Sequence, residues 1–143
     1  MKQNILTITI EQNLKKHRFD ISVWVDDKKY TLESNTISIP IDYDPTCITS
    51  KTIKIQFAGK QQLLEKMYVN EINDDVSQLL AEIKSVCLDN HNLETLLLRC
   101  ARYDHRQGTE DYTPCIGIDG NIKFTLTFPF FLTVIKELRP VGF

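Results

Sequence analysis

The stretch FDISVWV, residues 19–25, gives the clearest indication of fold class, because apolar side chains occupy every second position. A period of two is typical of a strand with one face buried and one face exposed. The polar residues at 26–29, DDKK, predict a turn directly after it. We therefore predict a β-strand here, with Trp24 on the face opposite the apolar side chains, which are Phe19, Ile21, Val23 and Val25.

The same alternation extends to both sides of this strand. It occurs at 6–10 before it and at 30–41 and 53–57 after it. Pro40 predicts a sheet edge, because proline has no N–H to donate to a neighbouring strand. Five short strands at this spacing predict an antiparallel, sandwich-like sheet in the N-terminal half. Residues 60–73 fit a helix or a strand, and the β-branched residues at their end favour a strand after a short helical or loop entry.

The middle of the chain carries apolar residues at helical spacing. One stripe covers 76–87 after a capping aspartate, and a second covers 93–100 after Asn92. Two such helices with a short connection predict a central αα-hairpin packed on the sheet.

The last third begins with the most polar stretch of the chain, residues 104–114, which predicts a long loop. The dipeptide Asp119-Gly120 lies inside an alternating segment, so residues 115–128 predict a C-terminal β-hairpin. The expected fold class is therefore α+β. The apolar tail from Phe130 to Phe143 is expected to close the core, with an exposed dimer face as the alternative.

The length of 143 residues suffices for one self-contained core, so we expect a single domain over 1–143. A subdivision into a β-rich lobe, 1–73, and a lobe of helices plus a hairpin, 74–143, stays open.

The formal net charge of −2 argues against general nucleic-acid binding. No apolar run is long enough to enter a membrane as a helix, and the four cysteines form no C-x-x-C pair, so a cytoplasmic protein with reduced thiols is expected.

The best candidate site lies between residues 99 and 115. Arg99, Arg102 and Arg106 would share one face if the second helix continued through them, and arginine suits carboxylate or phosphate ligands. The predicted binding residues are Arg99, Arg102, Tyr103, His105, Arg106 and Tyr112. The candidates for catalysis are His105, Arg102 and Glu110, with histidine as the proton carrier. The alternative is structural, because cations favour a helix C-terminus and polar loops are rich in these residue types.

Other chemistry has weaker support. Cys87 and His91 have a spacing that zinc could use, but cysteines on apolar stripes are more simply explained by core packing. No phosphate loop, dinucleotide fingerprint or serine elbow is present. The sequence therefore predicts no metal and no cofactor.

Three functions remain. The first is a non-catalytic binding module, such as an adaptor, an inhibitor or immunity-type protein or an accessory protein, which recognises a protein partner or an anionic ligand; homo-oligomerisation stays open. The second is a small hydrolase or metal-independent nuclease that uses residues 99–115. The third is a carbohydrate-binding sandwich, an analogy of fold only, whose exposed aromatic candidates are Trp24, Tyr30, Tyr43 and Tyr68. The missing catalytic motif favours the first function over an enzyme.

Overall fold

Apolar residues at every second position form strands along most of the chain. The structure is a computed structural model that describes residues 1–130. Its strands are β1 (Lys2–Gln12), β2 (Asp20–Val25), β3 (Lys28–Thr31), β4 (Thr36–Tyr43), β5 (Thr49–Ala58), β6 (Ala81–Leu88), β7 (His91–Asn92), β8 (Arg102–His105), β9 (Gly108–Asp111), β10 (Cys115–Ile116) and β11 (Gly120–Phe128). The helices are α1 (Lys60–Tyr68) and α2 (Glu94–Cys100), with a 3-10 turn at Val76–Gln78.

The strands form two antiparallel sheets. Sheet A has the order β10-β6-β1-β4, with β7 hydrogen-bonded to β6, and sheet B has the order β3-β2-β5-β11-β8-β9. The apolar faces of both sheets belong to one hydrophobic core. The prediction of an α+β chain with a sandwich-like antiparallel sheet is confirmed in its coarse form, since the protein is mostly β, with two antiparallel sheets and two helices. Strand β4, which contains Pro40, lies at an edge of sheet A as predicted.

The predicted αα-hairpin is not formed, because its first helix is strand β6. Strand β6 pairs with β1 through a bulge: Ile83 is opposite Ile10, Ser85 is opposite Thr9, and Lys84 is the additional residue. Such an extra residue interrupts the period of two. The buried side chains of Ile83 and Val86 are consequently three positions apart, which in the sequence is typical of a helix.

The second predicted helix is confirmed as α2. The cap residue is Leu93 rather than the predicted Asn92, but the Asn92 side chain still accepts a hydrogen bond from the Glu94 N–H, the first of the helix, at 2.8 Å. Leu96 and Leu97 are its buried residues.

Residues Lys60–Tyr68 form α1 and no strand follows before β6, so the strand favoured for the end of this segment is wrong, whereas a helical entry was one of the predicted alternatives. The carboxylate of Asp119 accepts hydrogen bonds from the N–H groups of Lys60 and Gln61, at 2.9 and 3.0 Å. These bonds satisfy two of the unpaired donors of the first helical turn. The group that stabilises the start of α1 thus comes from a residue about sixty positions away.

The C-terminal hairpin predicted for residues 115–128 is also wrong. Strand β10 pairs with β6 in sheet A, whereas β11 pairs with β5 and β8 in sheet B. Residues 117–119 carry the chain from one sheet to the other. Gly120 is needed here for a close approach, because a Cβ at this position would lie 2.4 Å from the carbonyl oxygen of Asp104.

The polar residues expected to form a long loop fold instead into the β8–β9 hairpin, which turns at 106–107. Phe130 packs partly buried against the core, and the rest of the apolar tail lies outside the described residues. None of the helices in residues 1–130 is long and apolar enough to cross a bilayer. No disulfide bond joins the cysteines of residues 1–130.

Candidate functional site

The three arginines of the predicted site lie in three different elements. Arg99 is in the last turn of α2, Arg102 is in strand β8, and Arg106 is in the turn of the β8–β9 hairpin. The shared helical face expected for them is therefore wrong, because α2 ends at Cys100. Arg102 forms an ion pair with Asp111 at 3.2 Å.

His105 and Glu110 do come together, but as a link within the hairpin. The Nε2 atom of His105 lies 2.5 Å from the Glu110 carboxylate, and Nδ1 accepts a hydrogen bond from the Gln107 N–H at 3.1 Å. An Nδ1 that accepts a hydrogen bond carries no proton, so the proton is on Nε2 and is donated to Glu110. Neither ring nitrogen is left to abstract a proton from a substrate, and the side chain is only 3% exposed.

Tyr103 and Tyr112 are core residues, 3% and 9% exposed. The Tyr103 hydroxyl donates to the carbonyl of Ile118, and burial raises the pKa of Tyr103. Burial, together with the charges of Glu94 and Cys115, raises the pKa of Tyr112 to about 12. Both tyrosines stay neutral at physiological pH, and burial leaves little of either ring for a partner.

The outer face of sheet B holds a group of cations that sequence inspection missed. Residues that are direct neighbours on adjacent strands form one line across the sheet, which we call the cationic row: Lys29, Trp24, Lys54, Lys123 and Arg102. The strand neighbours of Trp24, Lys54, Lys123 and Arg102, such as Val23, Ile55 and Ile122, pack in the core or against it, and so does Tyr30 beside Lys29. Because side chains alternate along a strand, the cationic row faces away from the core.

The electrostatics of the cationic row are unusual for a sheet face. Lys54 is opposite Lys123, and Lys123 is opposite Arg102; like charges in such positions destabilise a sheet. Asp104 lies 3.8 Å from Lys123 and Asp111 balances Arg102, but both aspartates are at the β8–β9 end of the row.

At the other end of the row, the ammonium groups lie near the indole ring of Trp24. Lys54 Nζ is 4.8 Å from the ring centroid and Lys29 Nζ is 5.8 Å from it. Within residues 1–130, these two lysines form no ion pair. This end of the cationic row therefore carries positive charge without a carboxylate to balance it.

A second line of neighbours runs beside the cationic row, and we call it the polar row: Ser22, Gln56, Asn121 and Asp104. The Trp24 indole N–H donates to Gln56 at 3.1 Å, which fixes the ring against the sheet. The Oδ1 atom of Asn121 is buried and has no hydrogen-bond partner among the described residues. A shallow depression of about 410 Å³ lies over the end of this row and extends to Arg106.

A deeper cleft lies on the other side of Arg106, with a volume of about 320 Å³. It is bounded by α1, by the β8–β9 turn and by the segment between the two sheets; its lining includes Lys60, Gln61, Leu64, Tyr68, Arg106 and Ile118.

No group of three or more His, Cys, Asp or Glu side chains in residues 1–130 is arranged to hold a metal ion. No family model, curated protein or solved structure matches the chain.

The sequence does contain a weak signal for the cationic row. Lys54 and Lys123 occupy polar positions between buried residues of their strands, as lysines on any exposed strand face would. Only the pairing of β5 with β11 places them side by side, and that pairing joins segments about seventy positions apart.

Proposed function

We propose that this protein is a non-catalytic binding module that recognises an acidic segment of a partner protein through the outer face of sheet B. The observation that carries the proposal is the cationic row, four cations and one indole in direct cross-strand register. Placing like charges opposite each other costs stability, and a bound anion would offset that cost.

The dimensions of the row suit an extended peptide. Four strand spacings of about 4.8 Å separate Lys29 from Arg102, so the row is roughly 19 Å long. An extended segment of about six residues covers that distance at about 3.3 Å per residue. Carboxylates of such a segment would meet the lysines, and an apolar side chain would pack on the exposed part of Trp24.

The aspartates at one end of the row do not prevent a partner carboxylate from binding there. The Asp111 side chain is 89% exposed, so its ion pair with Arg102 is weak and a partner carboxylate can replace it. A hydrolase or nuclease at residues 99–115 has less support, because both ring nitrogens of His105 are engaged within the hairpin.

The test uses Trp24, which is the single tryptophan of the chain and lies in the proposed site. Its fluorescence is followed while a ten-residue peptide of alternating Glu and Ala is added, with the Gln-Ala peptide as the uncharged control. We expect Lys54→Glu and Lys123→Glu each to weaken binding at least about tenfold, because each reverses a charge in the row.

The matched control is Lys16→Glu, which makes the same charge change in an exposed loop and is expected to bind like the wild type. Equal affinity of the row variants and the wild type would rule out this surface. Tighter binding of a single-stranded oligonucleotide of equal charge would rule out an acidic protein segment as the ligand.

A carbohydrate ligand is the second candidate, and the polar row is the observation that favours it. Gln56, Asn121 and Asp104 lie beside Trp24 on this face and bring amide and carboxylate groups to it. Hydroxyl groups of a neutral sugar would bind to these atoms while the pyranose ring packs on the indole. In that case neutral glycans change the Trp24 fluorescence. Asn121→Ala abolishes this change, whereas Lys123→Glu leaves it intact. Unchanged fluorescence across a glycan panel would exclude a carbohydrate ligand.

A further inference from the structure

The cleft beside α1 is separate from the cationic row and offers a second kind of site. We infer that it binds a small carboxylate with an aromatic or aliphatic body. This ligand would be held by the Arg106 guanidinium and by the apolar wall formed by Leu64, Tyr68 and Ile118. The inference does not depend on the function proposed for sheet B.

Arg106 is the group that favours an anion. Its Nη1 atom donates to the Gln61 side chain at 3.0 Å, which orients the guanidinium at the cleft. Within residues 1–130 no carboxylate forms an ion pair with it. A guanidinium has five N–H donors, so most of them remain for a ligand, and their fork geometry matches a carboxylate.

The other charged groups of the cleft are already used by the protein. The Lys60 ammonium donates to three backbone carbonyls, those of Ser77, Leu79 and Gly117, at 3.2, 2.9 and 2.7 Å. The two carboxylate oxygens of Asp119 accept the first N–H groups of α1. Arg106 is therefore the charge in the cleft wall that a ligand can still balance.

Size and lining limit the ligand to a small amphipathic molecule. An apolar cavity of about 150 Å³ holds benzene, so a cleft of about 320 Å³ holds one ring with a short carboxylate arm. Leu64 and Ile118 are partly buried, and Tyr68 is 72% exposed, which leaves its ring to cover a bound molecule. This combination of an apolar wall and one oriented polar group is typical of small-molecule sites.

The experiment compares two isosteric probes, phenylacetate and the neutral phenylacetamide, by titration of the isotope-labelled protein in NMR. We expect phenylacetate to shift the backbone signals of Gln61, Leu64 and Ile118 and the side-chain N–H of Arg106. Phenylacetamide is expected to bind at least about tenfold more weakly, because it has no charge to pair with the guanidinium.

The variant Arg106→Gln is expected to weaken phenylacetate binding at least about tenfold, and Leu64→Ala to weaken both probes equally. The control Arg18→Gln removes an exposed arginine from another loop and leaves binding unchanged. Equal affinity of the two probes, or wild-type affinity in Arg106→Gln, would overturn the inference. Lys54→Glu is expected to bind phenylacetate like the wild type. The cleft and the sheet B surface are therefore tested independently of each other.

Discussion

Lys60 is a buried cation whose ammonium group joins three parts of the chain. It is 7% exposed, and it links the start of α1 to the 3-10 turn with the residue that follows it and to the crossing between the sheets. Burial lowers the pKa of Lys60, and the charge of Asp119 partly opposes that effect. The folded state therefore holds this charge at a cost, which the three hydrogen bonds to carbonyls offset.

We predict that Lys60→Met lowers the free energy of unfolding by about 2–4 kcal/mol, because it leaves these carbonyls without their donor. Urea denaturation followed by circular dichroism measures the effect. Lys66→Met is the matched control, since Lys66 is an exposed residue of the same helix and its replacement should change stability by less than about 0.5 kcal/mol. Equal losses in the two variants would show that the ammonium–carbonyl bonds contribute nothing.

Tyr112 makes the folded protein less stable at alkaline pH. The unfolded tyrosine loses its proton near pH 10, whereas burial raises the pKa in the folded protein to about 12. Between these values the unfolded state binds fewer protons, so the free energy of unfolding falls as the pH rises, by about 3 kcal/mol in total. Tyr103 acts in the same direction, and Lys60, whose pKa is lowered, acts in the opposite direction.

We therefore predict that Tyr112→Phe loses less stability than the wild type between pH 8 and pH 11, as measured by urea denaturation at both values. Tyr68→Phe is the control, because Tyr68 is exposed and its removal should leave the wild-type dependence unchanged. Identical pH dependence in Tyr112→Phe and the wild type would contradict the assignment.

Helix α1 depends on a cap from outside its own segment. Nine residues are too few for a stable isolated helix in water, so the bonds from Asp119 to its first N–H groups matter. We predict that Asp119→Ala costs about 1–2 kcal/mol and increases hydrogen exchange at the amides of α1. Asp27→Ala, in the exposed turn between β2 and β3, is the control. Unchanged protection of α1 in Asp119→Ala would show that the helix forms without this cap.

Whether an element depends on contacts with distant residues explains whether it could be predicted from the sequence. Strands such as β2 and β5 were predictable, because their burial follows a strict period of two. Strand β6 was not, because the bulge at Lys84 changes the spacing of its buried residues to that of a helix. The sequence left helix and strand open for the α1 segment because the cap of α1 is distant. Strand β10 was predicted with the wrong partner because a turn dipeptide does not show that the chain changes sheets.

The candidate site was less predictable than the strands. Arg102 belongs to the cationic row, but its cross-strand neighbour Lys123 was not foreseen, because strand register is a property of the assembled sheet. Arg106 was identified as a binding residue on the assumption of a continuing helix. It reaches the cleft from a hairpin turn instead.

Both halves of the chain contribute strands to both sheets. Strands β1 and β4 of the first half share sheet A with β6, and strands β2, β3 and β5 share sheet B with β8, β9 and β11. The pairings of β1 with β6 and of β5 with β11 therefore join the halves through the centre of each sheet. One core lies between the sheets.

This arrangement predicts one cooperative unfolding transition. Separating the halves would expose the long edges of β1 and β5 together with half of the core, so neither half retains enough buried apolar surface to offset its loss of conformational entropy. We expect Trp24 fluorescence, which reports on sheet B, and far-ultraviolet circular dichroism, which reports on all strands, to give the same urea midpoint and the same slope. We also expect a fragment of residues 1–73 to show the narrow amide dispersion of an unfolded chain in NMR. Two separate transitions, or a dispersed spectrum for the fragment, would instead mean that the β-rich half folds on its own and that β6 and β11 dock onto a preformed unit.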